Sequence, residues 1–264
     1  MRILQLSDPH LLADPGGRCR GALPLHQLRH GLEQALALLH SRATPADLLL
    51  ISGDLCQDES LGGYARLREL LQSWPTPLPP LALLPGNHDH PALLRAALGR
   101  QAVIAPAELE LGSWRVLLLD SHCCGRVAGR LGARQRAWLA ERLAAAPGPV
   151  LLALHHPPLP IGDPGLDPIR LEDGEELLAL LRSTAGLAAV LFGHVHQHWR
   201  GALPGRAAVP LLACPSTLCA FPPVQPCPLA SPRDPGARLL QLGDGGEIRQ
   251  ELLRWMPVPV PTVG

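Results

Sequence analysis

Residues 1–10 read Met-Arg-Ile-Leu-Gln-Leu-Ser-Asp-Pro-His, an apolar run that ends on Asp8 and His10. Ile3–Leu6 has the length and composition of a short buried strand, and the two polar side chains stand just beyond it. Residues two apart in an extended chain lie on the same side, so Asp8 and His10 can grip one ion. Taken alone, such a pair is also what a turn or a helix cap would show. The same punctuation recurs down the chain. Leu48–Ser52 runs into Gly53-Asp54, Leu81–Leu84 into Gly86-Asn87-His88-Asp89, Val150–Leu154 into His155-His156-Pro157, and Ala188–Phe192 into Gly193-His194-Val195-His196. In open α/β sheets, ligands bind at the carboxyl ends of the strands. A series of strand ends that all carry Asp, Asn or His therefore points to a single shared site.

The chemistry of that site follows from its donor atoms. Asp8, His10, Asp54, Asn87, His155, His194 and His196 offer nitrogen and oxygen and no thiolate, a set that disfavours Cu(I) and suits Mn, Fe, Zn or Co. Two divalent cations ~3.5–4 Å apart can clamp both the attacking and the leaving oxygen of a phosphoryl displacement, and they lower the pKa of a bound water to roughly 7. Holding two cations so close requires a bridging carboxylate. Asp54, isolated on a tight glycine turn, suits that place. His194 and His196 share the i, i+2 spacing of Asp8 and His10 and could each reach a different ion.

The bulk numbers set the frame. The 264 residues carry 23 basic and 23 acidic side chains, a net charge of zero, and every basic residue is arginine. A neutral chain lacks the broad positive field that draws nucleic acid, so no nucleic-acid partner is expected. The seven cysteines include no C-x-x-C pair, which reads as free thiols in a reducing cytoplasm. Met1-Arg2 leads at once into the first motif, so a cleaved leader would destroy the site. No run reaches the ~20 apolar residues of a membrane span, and no membrane partner is expected.

Between the apolar runs lie helical stripes: Leu25–Ser41, a segment from near Glu59 to Leu71, His90–Leu98, Gln135–Ala146 and Glu172–Ser183. The first half thus reads as β-α units around a parallel sheet. Leu109–Asp120 breaks the pattern with a hairpin at Gly112-Ser113, and the stretch from Trp199 to Arg254 reads as strands forming a second sheet. A shared site spanning residues 8 to 196 requires one domain, read as residues 1–255. The proline-rich segment 222–235 reads as a surface loop near the site mouth, and the Pro/Val tail 256–264 as extended and poorly ordered.

In this order and at these strand ends, D-x-H, G-D, G-N-H-D, H-H-P-P and G-H-x-H resemble the calcineurin-like metallophosphoesterases over residues 1 to about 200. The resemblance implies a four-layer αββα sandwich of two mixed β-sheets flanked by helices. It implies one metal on Asp8, His10, Asp54 and His196, and a second on Asp54, Asn87, His155 and His194. His88 matches the non-ligand histidine that steadies the phosphate or protonates the leaving oxygen. Cys214-Pro215-Ser216-Thr217, Phe221-Pro222 and Pro235-Gly236-Ala237-Arg238-Leu239 narrow it, resembling the tail of the bacterial class III 3′,5′-cyclic-nucleotide phosphodiesterases. On that footing the expectation is hydrolysis of a small phosphodiester such as cyclic AMP by in-line attack of a metal-bound hydroxide, in a protein that can be a homodimer. Other expectations are the same chemistry on a glycerophosphodiester, a nucleotide-lipid pyrophosphate or a phosphomonoester, a nuclease of this fold, and a non-catalytic adaptor. The adaptor would be expected to have lost ligands.

The remaining histidines are expected elsewhere. His26, His30 and His40 belong to the first helix, His90 to the cap of the short helix after the G-N-H-D motif, and His156 and His198 to the support of neighbouring ligands. Asp89 is expected to orient its loop rather than touch metal. The tryptophans are expected in the core.

Overall fold

The computed structural model describes residues 1–259. The apolar runs form strands close to the expected bounds: β1 Arg2–Leu6, β2 Leu48–Ile51 and β3 Leu81–Leu83. With β4, Ala102–Ile104, they pair in parallel, and helices α1 Pro24–Ser41, α2 Leu61–Gln72 and α3 Pro91–Leu98 connect them. Proline at the first helical position costs α1 and α3 nothing, because the amide it lacks would have no partner there. The His90 ring accepts the Leu93 amide at 3.4 Å and so caps α3 as expected.

The hairpin forms from β5, Ala107–Leu111, and β6, Trp114–Leu118, in antiparallel register. It opens a second sheet that continues through β7, Val150–Ala153, and β8, Leu187–Phe192. The stretch after Trp199 does not make a sheet of its own, and this corrects the expectation from sequence. Strands β9 Trp199–Leu203 and β10 Arg206–Ala213 complete the second sheet, in the order β5-β6-β7-β8-β10-β9. Strands β11 Gly236–Leu242 and β12 Ile248–Arg254 cross back and give the first sheet the order β12-β11-β1-β2-β3-β4. The reason is pairing: β1 has β2 on one side only, and β11 satisfies its other edge antiparallel, from Arg2 opposite Gln241 to Gln5 opposite Arg238.

Three apolar layers follow. Ile3, Leu50, Ala82, Trp114, Val116, Leu151, Ala189, Leu212 and Leu240 form the core between the two sheets. The outer face of the first sheet packs under α1, α2 and α3. The outer face of the second packs under α4, Gly132–Ala144, and α5, Gly174–Arg182. This is the expected four-layer αββα sandwich. Helix α4 begins before the predicted Gln135 because the Asp173 carboxylate, from the segment before α5, accepts the Leu131 and Gly132 amides at 2.9 and 2.8 Å. The orphan donors of that helix end are therefore satisfied by a residue about forty positions away, which local pattern cannot reveal. Among the described residues no helix is long and apolar enough to cross a membrane. All seven cysteines are free. The proline-rich segment is irregular chain, and Val258 in the tail pairs both ways with the Gln27 amide at 2.8 and 3.1 Å. Residues 260–264 of the predicted extended tail lie outside the described residues.

Candidate metal centre

Every predicted donor arrives at one place because β1, β2, β3, β7 and β8 all end on the same rim of the sandwich. Asp8, His10, Asp54 and His196 bring one donor atom each within 4.8 Å of one another, and all four residues are buried. The chain reaches this convergence by unusual turns. Asp8, His10, Asp54, His194 and His196 have φ of 52°, 49°, 50°, 67° and 51°, the left-handed region that non-glycine residues rarely enter. Such conformations cost about 1–3 kcal/mol each and persist only where the surroundings over-determine them. Here they turn side chains inward at strand ends where a straight continuation would point them along the rim.

Asp54 lies between two groups of donors. Its Oδ2 is 3.7 Å from His10 Nε2 and its Oδ1 is 3.4 Å from His155 Nε2. On one side, His10 Nε2 faces His196 Nε2 at 3.0 Å, and His196 Nε2 is 3.3 Å from Asp8 Oδ1. On the other, His194 Nδ1 lies 3.0 Å from Asn87 Oδ1. The ring tautomers make these contacts informative. His155 Nδ1–H donates to the Ser52 carbonyl at 2.8 Å and His196 Nδ1–H donates to the Cys219 carbonyl at 3.1 Å. In each neutral ring the Nε2 lone pair is then left facing a carboxylate, an arrangement that is repulsive unless a cation stands between.

Among the described residues, buried His155 Nε2 and His194 Nε2 have no hydrogen-bond partner. The donor set therefore fits a pair of divalent cations: anionic oxygen, neutral carbonyl oxygen and imidazole nitrogen, with orphaned atoms inside.

The electrostatics agree. Burial disfavours the His155 imidazolium, yet the Asp54 and Asp8 carboxylates outweigh it and raise the group to about 9. Burial likewise opposes charge on His196, but Asp8 raises it to about 10. Burial pushes His10 down to about 4. For Asp54, burial works against ionisation, but His155, His10 and His88 hold the carboxyl well below its usual range. Protons thus occupy, in the metal-free protein, positions that cations would take over.

His156 also lies within reach of His155 and His194. It is not a free donor: Nδ1 bonds the Ser121 hydroxyl at 2.8 Å and Nε2 the Val127 carbonyl at 3.0 Å. His198 is turned away as well, its Nδ1 accepting from the Arg238 guanidinium at 3.1 Å. His26 and His40 are exposed on α1 and His30 is half-buried there. Asp89 is fully buried and ties two donor loops together, its oxygens accepting the amides of Leu55, Cys56 and Gly86 at 3.0, 3.1 and 2.8 Å and the Tyr64 hydroxyl at 3.0 Å.

Half-buried His88 stands beside the centre, its ring edge-on to His10 at 5.3 Å between centroids and its amide donating to Asp54 Oδ1 at 2.9 Å. Sequence reasoning overlooked its partner. The Gln57 side-chain amide donates to His88 Nδ1 at 3.2 Å, and the Cys19 thiol contacts Gln57 Oε1 at 3.6 Å. Gln57 follows the G-D motif by three residues, and nothing in its local pattern distinguishes it from a polar loop residue. Two further supports were legible only as motif. The Ser216 hydroxyl donates to the Asp8 carbonyl at 2.8 Å, and the Phe221 ring stacks on His196 at 4.3 Å.

At Gly86 the backbone packs tightly against two of the donors. A Cβ there would lie 2.2 Å from Asp54 Oδ1, 2.4 Å from the Asp54 amide nitrogen and 2.8 Å from His155 Nε2. Gly86→Ala is therefore expected to lower the stability by about 1–3 kcal/mol, the usual range for overpacking, and to weaken metal binding. Denaturant midpoints with and without added Mn²⁺ check this. A variant equal to the parent in both would show that the loop yields.

The family profile described as calcineurin-like phosphoesterase matches residues 1–198. A protein of Synechococcus sp. (strain WH7803) named a probable cyclic nucleotide phosphodiesterase is 46% identical over 261 residues, covering 96% of each chain. A Pseudomonas aeruginosa protein named 3′,5′-cyclic adenosine monophosphate phosphodiesterase is 35% identical over 96% of this chain and 89% of its own. Among solved structures, a dimetal phosphatase from Danio rerio superposes with a TM-score of 0.62 at 15% identity, covering 96% of this chain and 98% of that one, a likeness of fold.

Proposed function

The chain belongs to the calcineurin-like phosphoesterase family, and on that footing we propose that it is a two-metal phosphodiesterase acting on 3′,5′-cyclic nucleotides such as cyclic AMP. The observation that carries the chemistry is Asp54, a buried carboxylate with one oxygen turned to His10 and the other to His155. The names of the Synechococcus and Pseudomonas relatives support the substrate class.

In this reading Asp8, His10, Asp54 and His196 hold one divalent cation, and Asp54, Asn87, His155 and His194 hold the second. Mn, Fe, Zn or Co suit the donors. When bound, the pair supplies the concentrated positive charge that stabilises a phosphoryl displacement. The protein's own part is orientation and proton delivery. Ser52 and Cys219 carbonyls fix the ring tautomers of His155 and His196. Asp89 holds the loops of Asp54 and Asn87 at fixed separation. Hydrolysis joins a water oxygen to phosphorus and breaks the bond to one ribose oxygen, which must gain a proton. Held through Nδ1 by the Gln57 side-chain amide, His88 keeps Nε2 for that oxygen; as the imidazolium it gives up the Nε2 proton and is left the neutral ring. Residues 1–255 act as one catalytic domain, and the core shared by both sheets supports this.

The test is a substrate panel with Mn²⁺ added: 3′,5′-cyclic AMP, bis-p-nitrophenyl phosphate and p-nitrophenyl phosphate. Cyclic AMP is expected to be turned over faster than the monoester. Rapid monoester cleavage with an inert cyclic nucleotide would retire the substrate assignment, and failure on all three would retire the enzyme.

A further inference from the structure

Beside the donor cluster, on the same rim, lies a cavity of about 570 Å³ whose walls include Pro106, Asp120, His122, Arg130, Arg134 and Trp138. Pockets of this size hold small organic ligands. Topology explains its position. Pro106 lies just past the end of β4, whose parallel neighbour β3 leads to Asn87. Asp120 and His122 lie just past β6, whose parallel neighbour β7 leads to His155. His122 joins the two places: its Nδ1–H donates to the Gly86 carbonyl at 3.0 Å, and Gly86 packs directly against Asp54 and His155. A wall of the cavity is thus bonded to the loop that packs against two of the metal donors.

The walls carry chemistry that the fold does not use. Arg134 and Trp138 stand one turn apart on α4 and share a face. Trp138, expected in the core, is half-buried and lines the cavity. Arg130 and Arg134 are exposed, and among the described residues neither guanidinium has a partner. Asp120 Oδ1 accepts the His122 amide at 3.0 Å, which leaves Oδ2 open. His122, donating through Nδ1, offers Nε2 as an acceptor. Gln135 is by contrast spent, with both ends of its amide bonded to the Asp120 backbone at 2.8 and 2.6 Å. A flat aromatic face, planar cations and free acceptors together complement a heteroaromatic ring that bears both ring acceptors and an exocyclic amino group. A second phosphate would use the arginines but leave the Trp138 face and the Asp120 acceptor without a partner.

We propose that this cavity receives the purine base of the substrate nucleotide. Trp138 stacks on the ring, Arg130 and Arg134 donate to its ring nitrogens, and Asp120 accepts from its amino group. The assignment rests on the phosphodiesterase reading above, and the test separates the two.

The experiment compares the parent, Trp138→Ala and Arg134→Ala by kcat/KM on cyclic AMP against bis-p-nitrophenyl phosphate, which has no base. Calorimetry reads 5′-AMP binding in parallel. The ratio of the two kcat/KM values is expected to fall about ten-fold or more in each variant, mainly through KM, with 5′-AMP bound correspondingly more weakly. Arg134 is a surface side chain, so its variant remains informative if Trp138→Ala folds poorly. An unchanged ratio with parental 5′-AMP affinity in Arg134→Ala overturns the proposal, and so does an equal loss on both substrates. If the parent cleaves only the diester without a base, yet binds 5′-AMP through these side chains, the cavity assignment stands and the catalytic reading falls.

Discussion

Asp54→Ala is expected to bind no more than one equivalent of divalent metal and to lose about 10³-fold or more in turnover, because paired cations contribute several kcal/mol of charge stabilisation. The expectation follows from position. Asp54 is the residue whose two oxygens face both donor groups, at 3.7 Å from His10 Nε2 and 3.4 Å from His155 Nε2. In the proposed two-metal reading, removing it would take away the carboxylate shared by both metals, and it leaves His155 Nε2 without its nearest anion. The residue is 2% exposed, so the variant also opens a small polar void. Asp54→Asn, which keeps the shape and discards the charge, controls for that. Metal content by elemental analysis and turnover on the preferred diester are the measurements. An alanine variant that retains two equivalents would place the bridge elsewhere.

His88→Ala is expected to act differently: both metals retained, turnover slowed by roughly 10²–10⁴-fold, the usual scale for a proton-transfer group. The difference reflects where His88 sits. Its backbone amide bonds Asp54 at 2.9 Å, a contact the alanine keeps, while the ring lies beside His10 and is held by Gln57. The loss should be large on substrates whose departing oxygen is a poor leaving group and small on a p-nitrophenyl diester, which needs no proton. Parental activity of the variant on a poor leaving group would remove His88 from the chemistry.

These two variants separate what the sequence makes legible from what it hides. His88 stands in a motif of the same kind as Asp54, but its role was expected only from the resemblance to the phosphoesterases. Asp54 itself could be picked out of the chain, because apolar runs of strand length announce where the strands end and the next polar residues mark the rim. The hairpin at Gly112-Ser113 was legible for the same reason. Gln57 was not, because its role depends on the loop after β2 lying against the loop after β3, a relation between segments and not within one. The early start of α4 depends likewise on Asp173. Trp138 reads as core by its helical spacing with Leu139 and Leu143, yet the helix rotates it to a cavity wall, while Leu139 and Leu143 take the buried face. The return of β11 to pair with β1 follows from an open strand edge that exists only once the first sheet has formed.

By itself the sequence determined which donor atoms exist, their order, and that each would follow a buried strand, because those are properties of residues within a few positions of one another. Only the tertiary structure decided how they point. The left-handed turns at Asp8, His10, Asp54, His194 and His196 are held by contacts that no local pattern encodes, such as Ser216 on the Asp8 carbonyl across 208 residues and the Asp8 carboxylate on the His194 amide across 186. A strained backbone angle is stable only when distant partners repay it, so the geometry of the centre is a property of the folded chain.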